Sequence, residues 1–152
     1  MPMTMSASAQ INRPAEAVFD YISNMALNTT WQAGMRECRV TSEPPLAVGS
    51  TYEQVASFMG REVKSSFVVT AFEPGRSITI ETVESTFPIK VTRTVEPLGD
   101  ERARASATIE GGPGGIMGLL APLMKRMAQR RVRGDYRRLK SLLERGQRAA
   151  NR

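Results

Sequence analysis

Arg93 is the residue whose setting most invites chemistry. It lies between Val91 and Val95 in an alternating segment, so period two turns all three to one face, shared with Ile78 and Ile80. If that face looks inward, the guanidinium must be paired, because an unpaired charge in an apolar interior costs several kcal/mol. It could hold the carboxylate or another acidic head group of a ligand through a forked hydrogen bond. It could equally form an internal ion pair with Glu81 or Glu84, or a different strand register could turn it to solvent. Tyr52 and Gln54 are the other candidate polar groups of a site, and a buried tyrosine hydroxyl needs a partner. Trp31 reads either as part of a pocket mouth or as a packed structural tryptophan.

What is missing narrows the chemistry. The 152 residues include no histidine, which removes the usual general base near neutral pH and the commonest metal ligand. Cys38 is the only cysteine, so neither an intrachain disulfide nor a cysteine metal cluster can form. No metal or other cofactor is expected. No serine–base pair is evident. Gly111–Gly115 precedes a helical segment but lacks the lysine of a phosphate-binding loop, and reads as a hinge for that helix.

The net charge of +6 permits an anionic partner, yet many of the positive residues crowd into Lys125–Arg148, which also carries an apolar stripe. A solvated helix face explains such a pattern, and nucleic acid is not favoured. Residues 1–14 show no secretory pattern, and Ile116–Met124, broken by Gly118 and Pro122, is far short of the ~20 residues of a membrane span. A cytoplasmic protein is expected.

These residues need elements to position them. Thr4–Ile11 reads as a strand, Pro14 opens a helix through about Ser23, and Leu27–Gln32 reads as a second short helix. Six further strands follow at Arg36–Ser42, Ser50–Phe58, Arg61–Phe72, Ser77–Glu84, Ile89–Glu96 and Arg102–Glu110. Pro and Gly turns separate them closely enough for antiparallel hairpins. Ile116, Leu119, Leu120, Leu123, Met127, Tyr136, Leu139, Leu142 and Leu143 then recur at helical spacing in one long helix, loosened near Gly134. The expected fold class is α+β: a curved seven-stranded antiparallel sheet, two short helices after the first strand, and a long C-terminal helix packed across the sheet. Residues 1–148 are expected to form one domain and 149–152 a disordered tail.

In the last strand Ala103, Ala105 and Ala107 alternate with polar residues, so the small side chains point inward under the helix. They allow either tight helix–sheet packing or a ligand-sized cavity. Met117, Met124 and Met127 are suited to lining such a cavity and equally to ordinary core filling. The residues expected to touch a ligand are Trp31, Tyr52, Gln54, Phe67, Val69, Ile80, Val91, Arg93, Ala105, Met117, Leu120 and Met124.

Several segments carry a family resemblance. INRPAEAVFDYISN is similar to the strand-to-helix entry of the SRPBCC (START-like, helix-grip) superfamily, within it the polyketide cyclase/dehydrase and lipid-transport group, and Trp31 sits where that family often places a tryptophan. PPLAVGSTYEQV resembles its glycine-led strand opening, with Tyr52 at the tyrosine of that motif. EVKSSFVVTAFEPGRSITIE and KVTRTVEPLGDERARASATIEGG resemble its later hairpins, although Glu101, Arg102 and Ala103 stand where the family often has glycine and threonine. The resemblance spans about residues 4 to 145. It implies the helix-grip fold and a ligand among steroids, lipids, polyketides or quinones, some members being cyclases or dehydratases.

The expectation is therefore a carrier or sequestering protein that binds a small hydrophobic or amphipathic ligand between sheet and helix. The alternatives are a cyclase/dehydrase-like enzyme using the same cavity, and a protein- or membrane-interaction module with a filled core. Ile116–Met124, followed by Lys125, Arg126, Arg130 and Arg131, could touch an anionic membrane transiently. Monomer and homodimer are both compatible with the sequence.

Overall fold

The first strand, β1 (Met3–Ile11), buries Met5, Ala7 and Ile11 and exposes Thr4, Ser6, Ser8 and Gln10, the alternation of a sheet with one dry face. This computed structural model describes residues 3–58, 60–85, 88–111 and 117–150, with side chains for all of these except 3, 58, 117–122, 124, 125 and 146–150. Pro14 precedes α1 (Ala15–Ser23), whose Val18, Phe19 and Ile22 share a buried stripe. The single short helix expected at Leu27–Gln32 is instead a 3-10 turn, Met25–Leu27, running into one α turn, α2 (Asn28–Trp31). There Asn28 is fully buried, with its amide directed at Met25 Sδ and Cys38 Sγ.

Six more strands follow: β2 (Met35–Val40), β3 (Thr51–Phe58), β4 (Arg61–Glu73), β5 (Ser77–Glu84), β6 (Ile89–Pro97) and β7 (Ala103–Gly111). With β1 they form one antiparallel sheet in the order β1-β7-β6-β5-β4-β3-β2. Register shifts between β2 and β3 at Met35/Glu37, and between β4 and β5 at Ser66/Phe67 and Val69/Ala71, bend the ladder. Pairing Ile78 with Arg93 and Ile80 with Val91 places all four, with Val95, on the buried concave face.

The long helix α3 (Met117–Ala150) lies along β1 and roofs the concave face. Gln129 donates to Ser6 O and Lys140 to Gln10 O at 2.9 Å, so the helix also covers the free edge of β1. Near its C-terminal end, Asn12 N donates to Glu144 Oε2 at 2.9 Å and Arg13 Nη1 to Leu143 O at 3.0 Å. Leu139 and Leu143 are buried in the same cluster as Ile11, Ala103 and Ala105, and full burial of each leucine contributes about 1.5–3 kcal/mol.

Several expectations need correction. α3 continues through Gly134 without a break and is helical to Ala150; residues 151–152 lie outside the described residues. Leu123 and Met127 are exposed, Leu123 by 58%, although they continue the apolar stripe. At 1.5 Å per residue a 34-residue helix is about 51 Å long, well beyond a nine-residue strand of about 30 Å, so one end overhangs the sheet. Of the hinge expected at Gly111–Gly115, Gly111 ends β7 and residues 112–115 lie outside the described residues.

Candidate functional site

Where α3 crosses the end of the sheet nearest Gly111, the two surfaces do not fully meet. A hollow of about 110 Å³ lies there, bounded by β3 to β7 below, α3 above and α2 at the side. Trp31, Tyr52, Phe67, Ile80, Val91, Arg93, Ala107, Asp135 and Tyr136 line it and are buried. Gln32, Gln54, Ile89, Ile109 and Val132 line it and are half-buried, which marks the end that opens towards solvent.

Arg93 occupies the buried part and is only 5% exposed. Its Nη1 donates to Ile22 O at 2.9 Å and to Asn28 Oδ1 at 3.3 Å, and also approaches Met25 Sδ. The guanidinium carbon lies 5.1 Å from the centre of the Trp31 ring, a cation–π arrangement. Neither Glu81 nor Glu84 pairs with it: no carboxylate among the described residues forms an ion pair with Arg93. Among the described residues, this buried charge is met by dipoles and a ring face alone.

Aromatic groups surround it. Tyr52 stacks on Phe67 at 5.0 Å, and Tyr136 meets Trp31 edge-on at 5.3 Å. Trp31 Nε1 and Tyr136 Oη are buried and have no hydrogen-bond partner among the described residues. Burial pushes the Tyr136 hydroxyl up to about 12 and raises Tyr52 further, while the Arg93 charge opposes both shifts. Burial likewise lifts the Cys38 thiol to about 11, against the pull of Arg93 and a hydrogen bond from Asn28. All three groups are therefore neutral near pH 7.

A polar latch closes one side of the hollow. Arg131 donates through Nε to Ala33 O at 2.9 Å and through Nη2 to Ala33 O and to Ser57 O, the latter at 2.7 Å. Asp135 Oδ1 accepts from Ala33 N at 2.8 Å, and Arg138 Nη1 donates to Trp31 O at 2.9 Å. Gly34 makes this approach feasible. Its φ is +76°, and a Cβ there would overlap the Arg131 guanidinium and lie 2.6 Å from Ser57 O. Burial raises the Asp135 carboxyl above its ordinary value, opposed by the Ala33 N–H and by Arg131 and Arg138.

Over residues 2–144 the sequence matches the model of the family described as polyketide cyclase / dehydrase and lipid transport. The chain belongs to that family, within the START/SRPBCC superfamily. Among curated proteins none matches it. Solved structures are similar at low identity. The Zhui aromatase/cyclase from a Streptomyces species has TM-score 0.83 and 14% identity, covering 99% of this chain and 98% of that one. A protein from Thermus thermophilus has TM-score 0.78 and 18% identity over 91% and 95% of the two chains. A START superfamily protein from Mycobacterium smegmatis has TM-score 0.68 and 13% identity over 90% and 98%. The helix-grip fold expected from the sequence is therefore the fold of this polyketide cyclase/dehydrase and lipid-transport family member.

Within the family member, the structure brings Trp31, Tyr52, Gln54, Phe67, Ile80, Val91 and Arg93 together around the hollow. Val69 and Ala105 are elsewhere, both in the packed core. Ala105 pairs with Ala9 and Val95, away from the Gly111 end, and is buried in one cluster with Leu139 and Leu143 of α3. Met117, Leu120 and Met124 fall on the first turns of α3, but their side chains lie outside the described residues. Sequence reasoning missed Gln32, Ile89, Ile109, Val132 and Asp135 as lining groups. Tyr136 and Ala107 were legible as inward-facing, but not as parts of the site. Among the described residues no group of His, Cys, Asp and Glu could hold a metal, and no helix is long and apolar enough to cross a membrane.

Proposed function

We propose that this protein carries or sequesters a small hydrophobic or amphipathic molecule in the hollow beneath α3. The observation that carries the reading is the hollow itself: aliphatic along Ile80, Val91, Ala107 and Ile109, aromatic at Trp31, Tyr52, Phe67 and Tyr136, and half-open at one end. An apolar cavity of about 150 Å³ admits benzene, whereas drug-sized ligands occupy about 300–1,000 Å³. At about 110 Å³ the hollow suits a compact ring or short chain; a longer ligand must extend past Ile89 and Val132 or displace α3. Native mass spectrometry of gently purified protein tests the reading. The expected result is a bound small molecule that denaturation releases; protein recovered bare, and unresponsive to added octanoate or naphthalene, counts against it.

A cyclase- or dehydrase-like enzyme is the second reading, and Asp135 is what favours it. Its buried carboxylate lines the same hollow beside Tyr136, and its Oδ2 takes no hydrogen bond from a described residue, so it could exchange a proton with a bound ketone. Substrate-dependent turnover lost in Asp135→Asn, with ligand binding retained, would establish it.

A brief encounter with an anionic membrane fits the part of α3 where Leu123 and Met127 are exposed beside Arg126 and Arg130. Arg131 drops out of that patch because it is engaged at Ala33 and Ser57. Failure to bind acidic liposomes at low salt would end the membrane proposal.

A further inference from the structure

We propose that the ligand presents an anionic oxygen head group, a carboxylate or an ionised phenol or enol, to Arg93, Tyr52, Trp31 and Tyr136. This rests on the carrier reading above and specifies what that carrier selects. Apart from Asp135, whose Oδ2 takes no hydrogen bond from a described residue, every polar group left over in the buried part of the hollow can donate. Arg93 makes hydrogen bonds to described residues through Nη1 only, which leaves Nε and Nη2. Trp31 Nε1 can only donate, and it has no partner. The Tyr136 hydroxyl has none either, and no hydrogen bond joins the Tyr52 hydroxyl to a described residue. The acceptors beside Arg93, Ile22 O and Asn28 Oδ1, are already taken by its Nη1.

A carboxylate supplies about four lone-pair sites and the missing negative charge together. An amine would be repelled by Arg93 and would find acceptors only in the tyrosine hydroxyls and in Asp135 Oδ2 on the α3 side. A neutral ester or alcohol would satisfy one or two donors and leave the charge uncompensated. Asp135 does not fill the role from within the protein: its carboxylate pairs with Arg138, its Oδ1 accepts from Ala33 N, and it forms no ion pair with Arg93. The raised Tyr136 hydroxyl, at about 12, stays protonated and able to donate wherever a carboxylate is ionised. The remainder of such a ligand would run along Ile80, Val91 and Ile109 towards the half-buried rim.

Calorimetric titration with benzoate, methyl benzoate and benzylamine, and with octanoate and methyl octanoate, tests the inference. The acids should bind at least about tenfold tighter than their esters, and benzylamine should not bind, as expected when charge-assisted hydrogen bonds are made to one partner only. Arg93→Met should erase the acid–ester difference. Since that change also frees Ile22 O and Asn28, Tyr136→Phe provides a variant that keeps shape and removes one donor. It should weaken benzoate about three- to tenfold and leave the ester unchanged. Esters binding as tightly as acids, or an unaltered acid preference in both variants, would overturn the head-group inference while the carrier reading stands. No binding by any of the five compounds would overturn both.

Discussion

At its Ile11–Ala103 end and at its Ile89–Gly111 end, the concave sheet meets the same helix in two different ways. At the first, Ala103 and Ala105 are buried in one cluster with Leu139 and Leu143 of α3. At the second, the helix is held by Arg131, Asp135 and Arg138 to the backbone of Trp31, Ala33 and Ser57, and the side chains beneath it stop short. Apolar packing is non-directional and closes every gap it can, whereas hydrogen bonds fix a helix at a set height. One end of α3 therefore acts as core and the other as roof.

The largest contrast should come from cutting into each end. Leu139→Ala should cost about 2–5 kcal/mol in urea unfolding, as for other fully buried leucines, whereas Val132→Ala at the rim should cost under about 1.5 kcal/mol. Equal losses would mean that the two ends are packed alike. Next comes the same enlargement made two residues apart. Ala105→Leu should overpack the closed end by about 1–3 kcal/mol, while Ala107→Leu should grow into the hollow, cost less, and abolish octanoate binding. Octanoate affinity unchanged in Ala107→Leu would place the ligand elsewhere.

Similar in size is the effect of spoiling the latch. Gly34→Ala forces a side chain onto a φ of +76° and against Ser57 O, and should cost about 1–3 kcal/mol, with Arg131 displaced. Faster hydrogen exchange at Ala33 and Ser57 would report that displacement, and unchanged exchange would remove the latch from the account. The least effect is confined to alkaline pH. Folding raises Cys38 from 9.0 to about 11 and Tyr136 from 10.0 to about 12. Because the folded values are the higher ones, their contribution to stability is intact below the unfolded values and is lost as pH rises through the folded ones. Tm should hold steady up to about pH 9 and fall towards pH 12, less steeply in Tyr136→Phe. A fall beginning near pH 7 would implicate other groups.

The sequence made one of these ends far more legible than the other. Strand alternation places Arg93 between Val91 and Val95 and turns the three alanines of β7 inward, since both follow from period two alone. Tyr136, Leu139 and Leu143 follow from helical period in the same way. Which alanine faces the hollow depends on where α3 crosses the sheet, and side-chain types do not encode that position. The latch is illegible for a related reason. Arg131, Asp135 and Arg138 bind backbone atoms about a hundred residues away, and a charged residue with a backbone partner resembles any solvated one in sequence. Arg93 was ambiguous until register excluded Glu81 and Glu84 as its partners.

Methyl NMR of isoleucine-labelled protein during an octanoate titration addresses the hollow most directly. The account predicts shifts at Ile80, Ile89 and Ile109, which line it, and little change at Ile11, Ile22 and Ile78, buried in the packed core. Shifts confined to the second set, or spread evenly over both, would contradict it.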